Sequence, residues 1–231
     1  MEFLSDSILS AILLIFSSDT ELLAIVKISL QVSITSTFIA SLAGIPLGFL
    51  IAFETFKGKQ LFLTCLNTLL ALPTVVIGLV VYSFISRKGF LGSLNLLYTQ
   101  KAIIIGQIIL IIPIITTYTI AAVIKIDNRY RKTAMTLGAN KIQTAFIILR
   151  EARFGIAAAI ITAYGRVIAE IGISMMLGGN ARGFTRTMTT AMALEYDKGE
   201  FIQAVALGFI LLSLSFGINI IFHFFQGRNS K

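Results

Sequence analysis

The sequence predicts an all-α integral membrane protein, a bundle of five membrane-crossing helices with one strongly basic loop. Three observations predict it. First, 56% of the 231 residues are hydrophobic and the mean hydropathy is +0.90, whereas soluble domains are about 45–50% apolar. Second, apolar runs of helix-spanning length, about 20 residues, recur along the chain, and the alternation of a membrane barrel is absent. Third, Arg129, Arg131, Lys132, Lys141, Arg150 and Arg153 cluster between two of those runs.

Taken in order, residues 3–16 are apolar but short and are interrupted by Asp6. Without a basic leading region or a small-residue cleavage site, a signal peptide is not expected. Residues 1–20 are read as a segment lying along the membrane interface. The membrane-spanning body follows over 21–226. Its first span runs over Leu22–Phe53, with Pro46 expected to kink or break it. The second runs over Leu61–Ile85 with Pro73 in its middle, and the third over Ala102–Ile124 with Pro113 inside. The fourth covers Gly155–Leu177 and the fifth Phe201–Phe225, before a tail at 227–231. Counting Lys and Arg outside the spans puts eleven on the side of the basic loop and six on the other. By the positive-inside bias the loop is cytoplasmic, the N-terminus outside and the C-terminus inside, in a cell membrane. The net charge of +8 is then a topology signal, not a sign of a nucleic-acid partner.

The basic loop, about 127–153, reads as a helical hairpin. Lys132, Thr133, Ala134, Met135, Thr136 and Leu137 make a short helix that Gly138 ends. Asn140 is placed to cap a second helix from Lys141 to about Leu149. There Ile142, Ala145, Phe146 and Leu149 share one face. An apolar face on a short basic helix suits docking into a groove on a soluble partner.

Two further clusters carry chemistry. In the fourth span, Arg166 and Glu170 are four residues apart, which places them on one helix face within pairing distance. An isolated charge at that depth costs about 2.5–3.5 kcal/mol, so the pair faces a bundle interior or an aqueous cavity. It is either a gate for an anion or a structural lock between spans, and Gly165 and Gly172 would permit close helix approach beside it. After that span, Asn180, Thr185, Arg186 and Thr189 combine hydroxyls with a guanidinium. Thr185 is the expected cap of the next helix. The set fits an anion path or the docking face of an external protein.

Several functions are excluded or weakened. Cys65 and His223 are the only residues of their kinds, which removes cysteine clusters, most zinc sites and a Ser-His triad. No catalytic residues are expected. A GxxxxGK[ST] phosphate loop is absent, so no nucleotide cofactor is expected on this chain. Remaining alternatives are a stand-alone ion-coupled carrier or channel, which needs no ATPase.

The runs LREARFGI (149–156), AYGRVIAEIGISMMLGGN (163–180) and TRTMTTAMALE (185–195) resemble the permease subunit of tungstate-type ABC importers, kin of the molybdate and sulfate permeases. The loop is similar to the EAA loop of such permeases at Lys132, Thr133, Ala134, Gly138, Ala139 and Asn140, departing where the family has Glu (Lys132 here) and Pro (Arg150 here). The resemblance implies a type I importer fold with a coupling helix in the hairpin. It also implies a homodimer, two cytoplasmic ATPase subunits carrying ATP and Mg, an external oxyanion-binding protein, and tungstate, or else molybdate or sulfate, as cargo.

Overall fold

The computed structural model describes residue 13 and residues 19–227, with backbone only at 221–227. The expected interfacial segment and the tail therefore lie almost entirely outside the described residues.

Helix α1 (Thr20–Phe53) starts at Asp19, whose carboxylate accepts the Glu21 amide at 2.9 Å. Pro46 lies inside it and does not end it. The expected second span is two helices, α2 (Lys59–Leu70) and α3 (Thr74–Ile85), bent by 97°. Pro73 caps α3 from an extended conformation, φ −63° and ψ 130°. Proline lacks the amide a continuous helix needs and pushes the preceding residue out of the helical region. A 3₁₀ turn at Gly92–Leu94 leads to α4 (Gln100–Ile124), capped by the Thr99 hydroxyl. Pro113 is accommodated inside α4.

The basic loop forms α5 (Asn128–Thr136) and α6 (Lys141–Glu151). The expected fourth span is broken as well, into α7 (Arg153–Ile168) and α8 (Gly172–Gly178), bent by 58°. Arg166 is in α7, and Glu170 is in the break. They are not on one continuous helix, as their spacing had suggested. Next come α9 (Met188–Asp197) and α10 (Phe201–Gly227). Among the described residues, three helices are long and apolar enough to cross a membrane (α1, α4 and α10), and five spans result if each bent pair counts once.

The core is built around α4. Its Ile103, Leu110, Ile111 and Ile115 are buried between α1, α3, α7 and α8. Close approach explains two glycines. A Cβ on Gly48 of α1 would sit 2.6 Å from the Thr116 carbonyl and 2.8 Å from Thr119 Cβ on α4. One on Gly106 of α4 would meet Ile173 of α8 at 2.5 Å. Such small-residue contacts let helix backbones pack in lipid, where no hydrophobic force drives them together. By contrast Leu212, Phe216 and Ile220 of α10 are exposed, as suits a helix facing acyl chains.

Replacing Gly48 with Val forces α1 away from a backbone carbonyl that cannot rotate aside. The expected cost is about 1–3 kcal/mol, read as a lower melting temperature of the detergent-solubilised protein. An unchanged melting temperature contradicts this packing.

Candidate functional site

The basic hairpin is stopped and restarted within six residues. Helix α5 is capped by Asp127, not by a residue nearer Lys132. At its end the Ala139 amide donates to the Ala134 carbonyl at 3.0 Å and the Gly138 amide to Met135 at 3.1 Å. Gly138 has φ +85°. This is the left-handed helix stop that glycine favours, with both terminal carbonyls answered. It gives the Ala134-to-Ala139 pattern a physical reason. Asn140 then caps α6 as expected, and Gln143 returns the bond, 2.8 and 2.9 Å, in a complete capping box.

The hairpin is tied to the spans. Ile148 of α6 is buried with Val123 of α4 and with Ala152 and Ile156. Arg131 of α5 lies 4.5 Å above the ring of Phe53, the last residue of α1, and Phe49 stacks on Phe53. Its opposite surface has no partner among the described residues. Leu137, Ile142 and Phe146 are 82%, 79% and 71% exposed. Lys132, Gly138 and Lys141 are exposed as well, whereas Ala134 is buried.

The second site is the break between α7 and α8. A helix interrupted in a bilayer exposes peptide groups that only protein can satisfy. Glu170 is 3% exposed, and its carboxylate accepts Arg166 Nη1 at 2.7 Å and the Ile173 amide at 3.3 Å. Thr189 of α9 donates its hydroxyl to the Glu170 carbonyl at 2.8 Å. Gln107 of α4, 1% exposed, donates to the Val167 carbonyl at 3.3 Å and accepts from Ser36 of α1 at 2.8 Å. Gln107 was not singled out from the sequence. Its only signal there is a lone amide in the middle of an apolar run. Of the two glycines expected to permit close approach, Gly172 does so, since a Cβ added there would sit 3.1 Å from Thr74 Oγ1 of α3, while a Cβ at Gly165 would meet no described atom within 4 Å.

The loop after α8 is internally bonded. Thr185 is fully buried, donates to the Gly178 carbonyl at 2.6 Å and accepts the Ala181 amide at 3.0 Å. It does not cap α9. Thr187 does, in a capping box with Thr190, because Thr185 is already committed to closing the turn. Asn180 donates to the Thr190 carbonyl at 3.3 Å. Arg186 pairs with Glu21 of α1 at 3.4 Å, and Arg182 pairs with the same carboxylate. That carboxylate raises the Arg182 pKa above the usual arginine value. Among the described residues, one buried donor of Arg186, Nε, has no partner. The break and the loop thus share Thr189, while Asn180, Thr185 and Arg186 form a separate turn.

Replacing Thr189 with Val leaves the Glu170 carbonyl unanswered. The expected destabilisation is about 1–3 kcal/mol, whereas Thr189→Ser keeps the donor and most of the stability. Equal melting temperatures for the two variants contradict the role assigned to the hydroxyl.

The tungstate uptake system permease protein TupB of Peptoclostridium acidaminophilum is 36% identical over 98% of this chain and 99% of its own length. A probable anion ABC transporter permease protein of Haloferax volcanii is 37% identical over 92% and 95%. The molybdenum transport system permease ModB of Escherichia coli is more distant, 27% identical over 82% and 90%. A solved bacterial alginate ABC transporter, in complex with a periplasmic protein bound to an alginate pentasaccharide, has a TM-score of 0.72 at 18% identity, covering 95% of this chain and 83% of that one. It shows the shared fold. Residues 44–231 match the family described as binding-protein-dependent transport system inner membrane component. With its bent spans, capped basic hairpin and these relatives, the chain belongs to that family, as a multi-pass transport subunit of the ABC permease type and not an enzyme.

Proposed function

We propose that this chain is the permease subunit of an ATP-driven importer of a tetrahedral oxyanion, tungstate first. It works as a homodimer with two cytoplasmic ABC ATPase subunits and an external oxyanion-binding protein. The carrying observation is the hairpin. Two back-to-back caps make α5–α6 stiff, Ile148 and Arg131 fasten it to α4, α7 and α1, and its apolar tip is left open. A short helix with a protruding apolar face is a unit for a groove on another protein. The names of relatives at 36–37% identity support an anion, and for the Peptoclostridium protein tungstate. Molybdate is the second reading, supported by the more distant molybdenum permease.

The orientation follows from charge: the hairpin with its excess of Lys and Arg is cytoplasmic, the N-terminus outside and the C-terminus inside. ATP and Mg are held by the ATPase partners. Their closure moves the hairpin, the hairpin moves α1, α4 and α7 through the contacts above, and the bundle exchanges inward for outward access. The bound oxyanion passes from the binding protein into the pathway between two copies. Hydrolysis returns the bundle inward.

Phe146→Asp places a charge on the exposed tip without touching the core. The fold is expected to persist, while the ATPase recovered with the purified permease falls at least about tenfold, the loss of one well-buried contact. Undiminished recovery of ATPase with correctly folded Phe146→Asp contradicts docking at this face. Binding measurements on the pure external protein decide the cargo, with tungstate expected to bind more tightly than molybdate or sulfate.

A further inference from the structure

One charged side chain at membrane depth is left half open. Helix α7 buries Ala159, Ala163, Tyr164 and Val167 and turns Thr162, Gly165 and Arg166 outward. Along that face a Cβ at Gly165 would meet no atom within 4 Å. The Arg166 side chain is 42% exposed, while its partner Glu170 is 3% exposed. The partnership uses Nη1 alone, at 2.7 Å. A guanidinium carries five N–H donors, and the others make no hydrogen bond among the described residues. Thr162, one turn earlier on the same face, donates to the Ala158 carbonyl, which leaves its oxygen lone pairs and methyl outward.

A pair serving only as a lock would be expected to bury both charges. Here the carboxylate is sealed and pinned by the Ile173 amide, and the guanidinium is presented. Facing lipid, such a charge costs about 2.5–3.5 kcal/mol. We infer that the outward face of α7 lines the transport pathway and that Arg166 is a transit contact for the oxyanion, with Glu170 as its positioning residue. This rests on the reading of the chain as an oxyanion permease. Free, forked N–H donors match oxyanion oxygens. The carboxylate keeps each Arg166–Glu170 pair neutral overall, so the anion is attracted by local donors yet not trapped, as conduction requires. Two copies supply two such guanidiniums to one dianion.

The test uses the complete transporter, this chain with its ATPase and binding protein, reconstituted in vesicles and supplied with ATP and tungstate. The double variant Arg166→Gln with Glu170→Gln removes both charges together and keeps amides that can hydrogen-bond. It is expected to co-purify with the ATPase and yet to take up tungstate at least about tenfold more slowly at saturating binding protein. Wild-type uptake by the assembled double variant overturns the inference and leaves the pair as a lock. Arg166→Lys keeps the charge and loses the fork, and about a threefold to tenfold slower uptake is expected in assembled complexes. If the double variant does not assemble, Arg166→Lys decides: a wild-type rate overturns the inference. Failure of the wild-type complex to accumulate tungstate instead defeats the oxyanion reading on which the inference rests.

Discussion

A helix that stops inside a bilayer must have its open peptide groups answered by protein. That constraint organises the centre of this molecule. Between Ile168 and Gly172 the chain leaves the helix, and three side chains from three places close the gap. Thr189 answers the Glu170 carbonyl, Gln107 answers Val167, and the Glu170 carboxylate takes the Ile173 amide. Each comes from a different element, so the break fixes α4, α7, α8 and α9 relative to one another. Ser36 on Gln107 brings in α1. The polar cluster is therefore a structural junction first, and Arg166 projects from it.

The junction and the hairpin are connected through α7. One end of that helix continues from α6 at Ala152, buried beside Ile148. Its other end is the break. Motion applied to the hairpin therefore reaches Arg166 along one rigid helix of 16 residues. Helix α4 packs beside it along the way, with Ala122 2.5 Å from a Cβ built at Gly155. Such tight contact transmits displacement instead of absorbing it. The family relationship and the permease fold fit this mechanical layout.

Much of this was legible in the sequence, for physical reasons. The hairpin caps were readable because glycine and asparagine act locally: Gly138 and Asn140 stop and restart helices whatever surrounds them. Span positions were readable because hydropathy sums over about 20 residues. The same summing hid the breaks. Residues on both sides of Pro73 and of Glu170 are apolar, so each bent pair reads as one span. Thr185 and Thr187 both satisfy the local rule for the cap of α9. Only the turn bonds to Gly178 and Ala181 settle the choice. The roles of Gln107 and Thr189 at the break are hidden from local rules for the same reason, since their partners lie 60 and 19 residues away.

Under the function proposed above, the bundle moves solute only when a separate ATP-hydrolysing partner turns its hairpin. Vesicles containing this permease, loaded with the external binding protein and labelled tungstate, test it most directly when compared with and without the ATPase subunits. Accumulation against a gradient is expected only when ATPase and ATP are both present. Accumulation by the permease alone, driven by an ion gradient, would contradict it.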